Sequence, residues 1–315
     1  MVITQRVHEE IVQLLSGYAD VIVNEESHPW PAAELMTYAW YADALMVFMP
    51  DSLDAAFLDR CPNLKIVAGA LKGYDNFDIK ACEQRQVWFT IVPDLLTQPT
   101  AELALALLLG LSRNVRQGDE HVRSKEFAGW RPILYGKSLI GSTVGLIGYG
   151  AVGKAFERLV SGFQCRVIWH DLKLVGARLE EVAMQSDFLL TLVPLTSETF
   201  HLINRDFLAQ IKEGAYLINV GRGSVVDEES IADALESGHL AGYAADVFEM
   251  EDWLRADRPK SVSARLLRLA DRTLFTPHLG SATRAARLEI ERAAARNIID
   301  VLQGNRPRHA VNLNI

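Results

Sequence analysis

The sequence predicts an α/β protein built from two doubly wound, parallel-sheet domains. Three observations predict it. Short β-branched or aliphatic runs alternate with helix-like stretches along the chain, the pattern of parallel strands joined by crossover helices. The strands fall into two sets, separated by one long helix-like segment, "PTAELALALLLGLSRNVRQGDEHVR". The length, 315 residues with 49% hydrophobic, is enough to bury two cores.

The elements follow in order. "MVITQRVHEEIVQLL" reads as a short strand and a helix, not as a charged segment leading into an apolar signal core. The strands "VIVN", "ALMVFMP", "LKIVAGA" and "VWFTIVP" complete the first set, which ends near Pro93. In the long helix, Thr100 is the expected cap ahead of an apolar stripe. A loop rich in aromatics and turn residues follows, "EFAGWRPILYGKSLIG". The second set is "TVGLIGYG", "CRVIWHD", "FLLTLVP", "AYLINVG", "AGYAADV" and "TLFTPH", with helices such as "AFERLVSGF" and "SIADALESG" between strands. A long helix over "RAARLEIERAAARNIIDVLQG" closes the chain.

Composition narrows the function. Net charge is −8 with acids and bases interspersed, so no basic face argues for nucleic acid or an anionic membrane. The longest apolar run, Leu103–Leu111, is half a membrane span. Cys61, Cys82 and Cys165 lack metal-ligand spacing, and so sparse a set suits a reducing compartment. The expectation is a soluble, cytoplasmic protein acting on a small molecule, with no metal.

The clearest motif is "TVGLIGYGAVGKAFERL". Gly148, Gly150 and Gly153 form G-x-G-x-x-G between an apolar strand and a helix. The first glycine permits a tight turn, the second lets the backbone approach a pyrophosphate, and the third lets helix and strand pack closely. Ala151 and Val152 open the helix whose free N–H groups would meet the phosphates. The next strand ends in Asp171, 18 residues after Gly153, where a carboxylate accepts ribose hydroxyls and favours NAD over NADP; Lys173 beside it weakens that preference.

Three further segments put polar residues at the carboxyl ends of strands, where such sheets place their chemistry. They supply Arg222, then Asp246 and Glu251, then His278. A histidine beside a carboxylate shuttles protons near neutral pH, and an arginine offers a planar fork of donors to an oxyanion. Taken singly, each residue has an ordinary structural reading. Their shared placement in one dinucleotide-type sheet favours catalysis.

"NVGRGSVVDE", "YAADVFEME" and "FTPHLGSAT", with the glycine loop, resemble the D-isomer-specific 2-hydroxyacid dehydrogenase superfamily over nearly the whole chain. The resemblance implies a Rossmann NAD-binding domain (99–283) inserted in a flavodoxin-like substrate domain (1–98 plus 284–315), with the active site in the cleft. It implies Arg222, Glu251 and His278 as a catalytic trio. Thr100, Pro194, Asp246 and His278 are the further cofactor contacts, and a homodimer, with 118–140 crossing between subunits, is the implied assembly.

Within that superfamily, "VFMPDSLDAAFL", "GALKGYDNFD", "VPDLLTQPTAELA", "EFAGWRPILYG" and "GYAADVFEMEDWLRADRP" resemble the phosphite dehydrogenases, which oxidise phosphite to phosphate with NAD. Lys72 stands where a typical member carries an uncharged residue, and Gly73, Asp75 and Asn76 supply a turn with local hydrogen bonds after it. Phosphite has no carbon and no apolar handle, so it must be bound by charge. Lys72 and Arg222 would supply two cations and Arg287 a third, although a solvated helix arginine is an equal reading of Arg287. Met49, Trp130 and Tyr135 border the pocket by resemblance, and Asp75 holds either a cation or its own turn. For the water, either His278 or Arg222 is the activating group. Two rival functions stay open: a D-2-hydroxyacid dehydrogenase with a carbon substrate, and a non-catalytic NAD(H)-sensing corepressor of the same fold.

Overall fold

The computed structural model describes residues 1–92 and 94–312; the expected end of the first strand set at Pro93 lies outside them. The chain divides into two units. The first comprises Met1–Leu96, Trp253–Ala256 and Ala282–Ile315, the second Thr97–Asp252 and Asp257–Ser281.

The first unit is built on β1 (Val2–Ile3), β2 (Ile22–Val23), β3 (Ala44–Val47), β4 (Ile66–Gly69) and β5 (Trp88–Thr90). All pair in parallel, in the order β2-β1-β3-β4-β5. That is the flavodoxin-like order, with its switch point where β1 meets β3. β3 and β4 are buried along their whole length, hence the near-continuous apolar runs in the sequence. The closing helix, Arg284–Leu302, starts at Thr283, whose hydroxyl accepts the Ala286 N–H, and packs Ile290, Ala294 and Ile298 on one face of the sheet.

The second unit contains β6 (Thr143–Ile147), β7 (Arg166–His170), β8 (Phe188–Thr191), β9 (Ala215–Asn219), β10 (Leu240–Ala245) and β11 (Thr273–Phe275), all parallel. Their order is β11-β10-β9-β8-β6-β7, so the chain runs outward from β6 to β7 and then crosses back to β8. The switch point therefore lies at the carboxyl ends of β6 and β8, beside the glycine loop.

Three sequence expectations need correction. Thr100 does not cap the long helix, which begins at Thr97; Pro99 falls in its first turn, where a missing N–H costs nothing. That helix is also not continuous. It stops at Ser112, and a second runs Val115–Arg123. Between them Asn114 adopts φ 51°, a left-handed conformation that asparagine tolerates, and its amide donates to the Leu134 and Tyr135 carbonyls. Asn76, read as a local turn residue, is buried and bonds at long range: its amide donates to the Met49 carbonyl and its oxygen accepts the Trp253 N–H. No described helix is long and apolar enough to cross a membrane, and no group of three or more His, Cys, Asp or Glu among the described residues could hold a metal. Burial pushes the Cys61 thiol up to about 11 and the Cys82 thiol up to about 12, so both behave as packed apolar groups.

Candidate active site

The glycine loop meets the geometric demands of a dinucleotide. Gly148 has φ 101°, and a Cβ there would approach the Leu192 carbonyl to 2.9 Å. A Cβ at Gly153 would sit 2.7 Å from the Gly148 oxygen, so helix and loop close up only over glycine. At Gly150, by contrast, a Cβ would meet nothing within 4 Å. Gly150 is the N-cap of the helix Ala151–Val160, and no side chain caps it. Open space thus lies before uncapped helix N–H groups, which is what a pyrophosphate requires. Asp171 follows β7. Its carboxylate accepts the Tyr149 N–H at 2.9 Å and the Lys173 N–H at 2.8 Å, which holds it below the usual carboxylate range and ionised. Lys173 therefore contributes a backbone donor to Asp171. The residues fit NAD. Pro194, further along the same edge, is exposed, and its carbonyl accepts the Thr199 hydroxyl.

The trio also lies in this unit. Arg222 follows β9 in extended conformation, and its guanidinium donates to the Gly221 carbonyl at 2.9 Å. Asn219 fixes the loop from below: its oxygen accepts the Thr191 hydroxyl and the Gly221 N–H, and its amide donates to the Arg222 carbonyl. Gly223 is enforced by close approach, since a Cβ there would lie 1.9 Å from the Phe248 carbonyl carbon. The Arg222 loop is thereby pressed onto the segment that leads to Glu251.

Glu251 sits in the 3₁₀ turn Glu249–Glu251. One of its oxygens accepts the Phe248 N–H at 2.8 Å, and the other lies 2.5 Å from His278 Nδ1. The carboxylate is thus held by backbone and points the imidazole, leaving Nε2 for chemistry. His278 itself has φ 54°, rare for a non-glycine residue. Its N–H donates to the Asp246 carbonyl at 2.8 Å. The Asp246 carboxylate accepts the Thr276 hydroxyl and the Leu279 N–H at one oxygen and the Gly280 N–H at the other. Burial pushes this carboxyl up. Asp246 was expected at the nicotinamide; what the structure shows is that it clamps the loop that carries His278. Gly280 fits between Thr100 and Asp246, where a Cβ would come 3.2 and 3.3 Å from their oxygens.

The residues expected from the first unit gather at its own carboxyl edge. Lys72 lies three residues beyond β4, half-exposed, 3.5 Å from Asp94. Phe48 and Met49 directly follow β3, the neighbouring strand, and Met49 packs on the core. The Arg287 guanidinium lies over the Phe48 ring, 5.4 Å from its centroid, and desolvation lowers its pKa. Glu291, nearly buried, faces Arg287 at 3.9 Å and accepts the His8 N–H at 2.9 Å, with the His8 ring at 2.8 Å. Asp75 is half-buried on the turn after Lys72. Trp130 and Tyr135, expected beside the pocket, are 86% and 81% exposed in the single chain. Nothing in the local sequence around Glu291, His8 and Asp94 signals these roles, because they come from long-range pairing.

Residues 105–280 match the family described as D-isomer specific 2-hydroxyacid dehydrogenase, NAD binding domain. A glyoxylate reductase of Thermococcus onnurineus is 35% identical, covering 100% of this chain and 96% of its own. A glyoxylate reductase of Pyrococcus furiosus is 36% identical, covering 99% and 95%. The solved TT0316 protein of Thermus thermophilus superposes with a TM-score of 0.89 at 32% identity, covering 98% of this chain and 99% of that one. The two Thermococcus and Pyrococcus relatives are named glyoxylate reductases, not phosphite dehydrogenases, so the superfamily resemblance is upheld and the narrower one is not. With a glycine loop shaped for a dinucleotide and a His278–Glu251 pair on the same sheet edge, the chain belongs to the D-isomer specific 2-hydroxyacid dehydrogenase family, as an NAD-dependent oxidoreductase.

Proposed function

We propose that this dehydrogenase oxidises phosphite to phosphate. The observation that carries the reading is the pair of cations at the carboxyl edge of the first unit, Lys72 beyond β4 and Arg287 over the residue that follows β3. A small 2-oxo or 2-hydroxy monocarboxylate brings one negative charge, whereas phosphite near neutral pH is largely a dianion and calls for more than one cation. Lys72 and Arg287 bind its oxygens, and Arg222 stabilises the charge that grows on them as the new P–O bond forms. His278 Nε2, oriented by Glu251, takes a proton from the attacking water. The P–H bond breaks with its electron pair leaving as hydride, and bound NAD supplies the acceptor for it. Asp171 supports NAD over NADP.

The relatives' names support a second reading, reduction of glyoxylate or a similar small 2-oxo acid by the same His278–Glu251 pair, and on names alone it is the better supported. In that case Arg222 holds the carboxylate and Lys72 is incidental. Incubation with NAD and phosphite, beside NADH with glyoxylate and a panel of 2-hydroxy acids, separates the two by NADH absorbance. Turnover of an oxo acid without any response to phosphite overturns the first reading. Turnover of neither substrate class, with tight NADH binding, favours the sensor role.

The exposed apolar side chains Phe127, Trp130, Tyr135 and Ile140 support a homodimer in which a second copy covers this segment. Light scattering after gel filtration tests it, and a monomer at micromolar concentration refutes it.

A further inference from the structure

The loop that carries Arg222 and the turn that carries Glu251 both converge on His201, which lies in neither. The His201 N–H donates to the Ser224 carbonyl at 2.8 Å, and the Ile203 N–H to that of Val225 at 3.0 Å, so this segment pairs along the far side of the Arg222 loop. The His201 ring reaches the other element: Nε2 lies 2.9 Å from a carboxylate oxygen of Glu249, two residues before Glu251 in the same 3₁₀ turn. Phe200 stacks on the imidazole with centroids 4.0 Å apart. His201 holds this position with φ 49°, a left-handed conformation it shares with His278.

Glu249 is braced on its other side. Its second oxygen accepts the Glu228 N–H at 3.0 Å, and Glu228 in return accepts the Glu249 N–H at 3.0 Å and the Ser263 N–H at 2.8 Å. Both glutamates are buried, and burial pushes the Glu228 carboxyl up. Two carboxylates so placed repel one another, and the His201 ring is the cationic or hydrogen-bonding partner that offsets this at Glu249. Other charged or titratable groups on the packed elements are Glu251 and Asp252 of the turn, Arg222 of the loop, Asp227 and Glu229 beside Glu228, and Tyr243 of β10; the Asp252 carboxylate accepts the Ser224 hydroxyl.

We propose that His201 is a positioning residue that locks the Glu251 turn to the Arg222 loop, keeping the proton-handling pair and the oxyanion-binding cation in fixed register. It touches no reacting atom. The inference rests on His278–Glu251 being the acid–base pair, and holds for either substrate. The test compares His201→Ala with His201→Gln, whose amide can still donate to Glu249, in kcat, KM, the pH profile of kcat/KM, NADH affinity by fluorescence, and Tm. His201→Ala should lower kcat about 10- to 100-fold and displace the pH at half-maximal kcat/KM, with NADH affinity unchanged; His201→Gln should restore most of kcat. Glu249→Gln, which keeps the bond to the Glu228 N–H, should displace the profile similarly and serves if the alanine variant does not fold. An unmoved profile in both His201→Ala and Glu249→Gln, or a glutamine variant no better than alanine, overturns the proposal. A His278→Ala enzyme that retains turnover would instead remove the reading beneath it.

Discussion

The carboxyl edges of the two sheets are built in opposite ways. In the second unit every catalytic candidate is held by several fixed bonds. Glu251 is gripped by a backbone N–H, His278 sits on a strained backbone clamped by Asp246, and the Arg222 loop rests on Asn219. In the first unit the ion pairs of the cations are long: Lys72 is 3.5 Å from an exposed Asp94, and Arg287, seated over the Phe48 ring, is 3.9 Å from Glu291. Proton and hydride chemistry demands placement to a fraction of an ångström, whereas capture of an anion by charge tolerates mobility.

The sharpest way to break this contrast is at His278. His278→Ala should lower kcat/KM by about 100- to 10,000-fold while NADH still binds, measured by steady-state kinetics and fluorescence titration; a small loss would mean the rigid edge is not the reactive one. Next is the packing that creates the rigidity. Gly223→Ala drives a methyl into the Phe248 backbone and should lower Tm by about 5–10 °C, read by calorimetry, together with activity. On the first-unit edge, Lys72→Ala should raise the KM for phosphite about 10- to 100-fold and leave Tm and NADH affinity nearly unchanged. Near-normal phosphite kinetics would return Lys72 to an ordinary surface charge.

The smallest effect lies beneath the first-unit edge. Asp51 is buried, its carboxylate accepting the Phe48 N–H at 2.7 Å and the Thr4 hydroxyl, and burial raises its pKa from 3.8 to about 6. The neutral acid is the form the fold prefers. The stability it contributes is present below pH 3.8 and is lost as pH rises to about 6, on the order of 3 kcal/mol. Asp51→Asn should flatten the stability-versus-pH curve across that window, as followed by urea unfolding; an unchanged slope would assign the titration elsewhere.

The parallel strands were legible because a strand buried on both faces writes an apolar run into the sequence, and the glycine loop because a missing Cβ is a local fact. The pairing of Glu251 with His278 was not readable from spacing and came only through family resemblance, since 27 residues separate them. Asp246 was visible as a strand-end acid, yet its clamp on Leu279 and Gly280 depends on contacts more than thirty residues distant. His201 left no local signal at all. Thr100 misled because a threonine before an apolar run is a good cap, but a proline in the first turn fits a helix that starts earlier.

The reciprocal glutamates have a genetic consequence. Each of Glu228 and Glu249 serves as acceptor for the other's main-chain N–H. Losing one carboxylate orphans a buried donor and at the same time relieves the like-charge repulsion on the survivor. The harm of replacing either residue should therefore depend on the identity of the other, and related sequences that drift at one position should be found to have drifted at both.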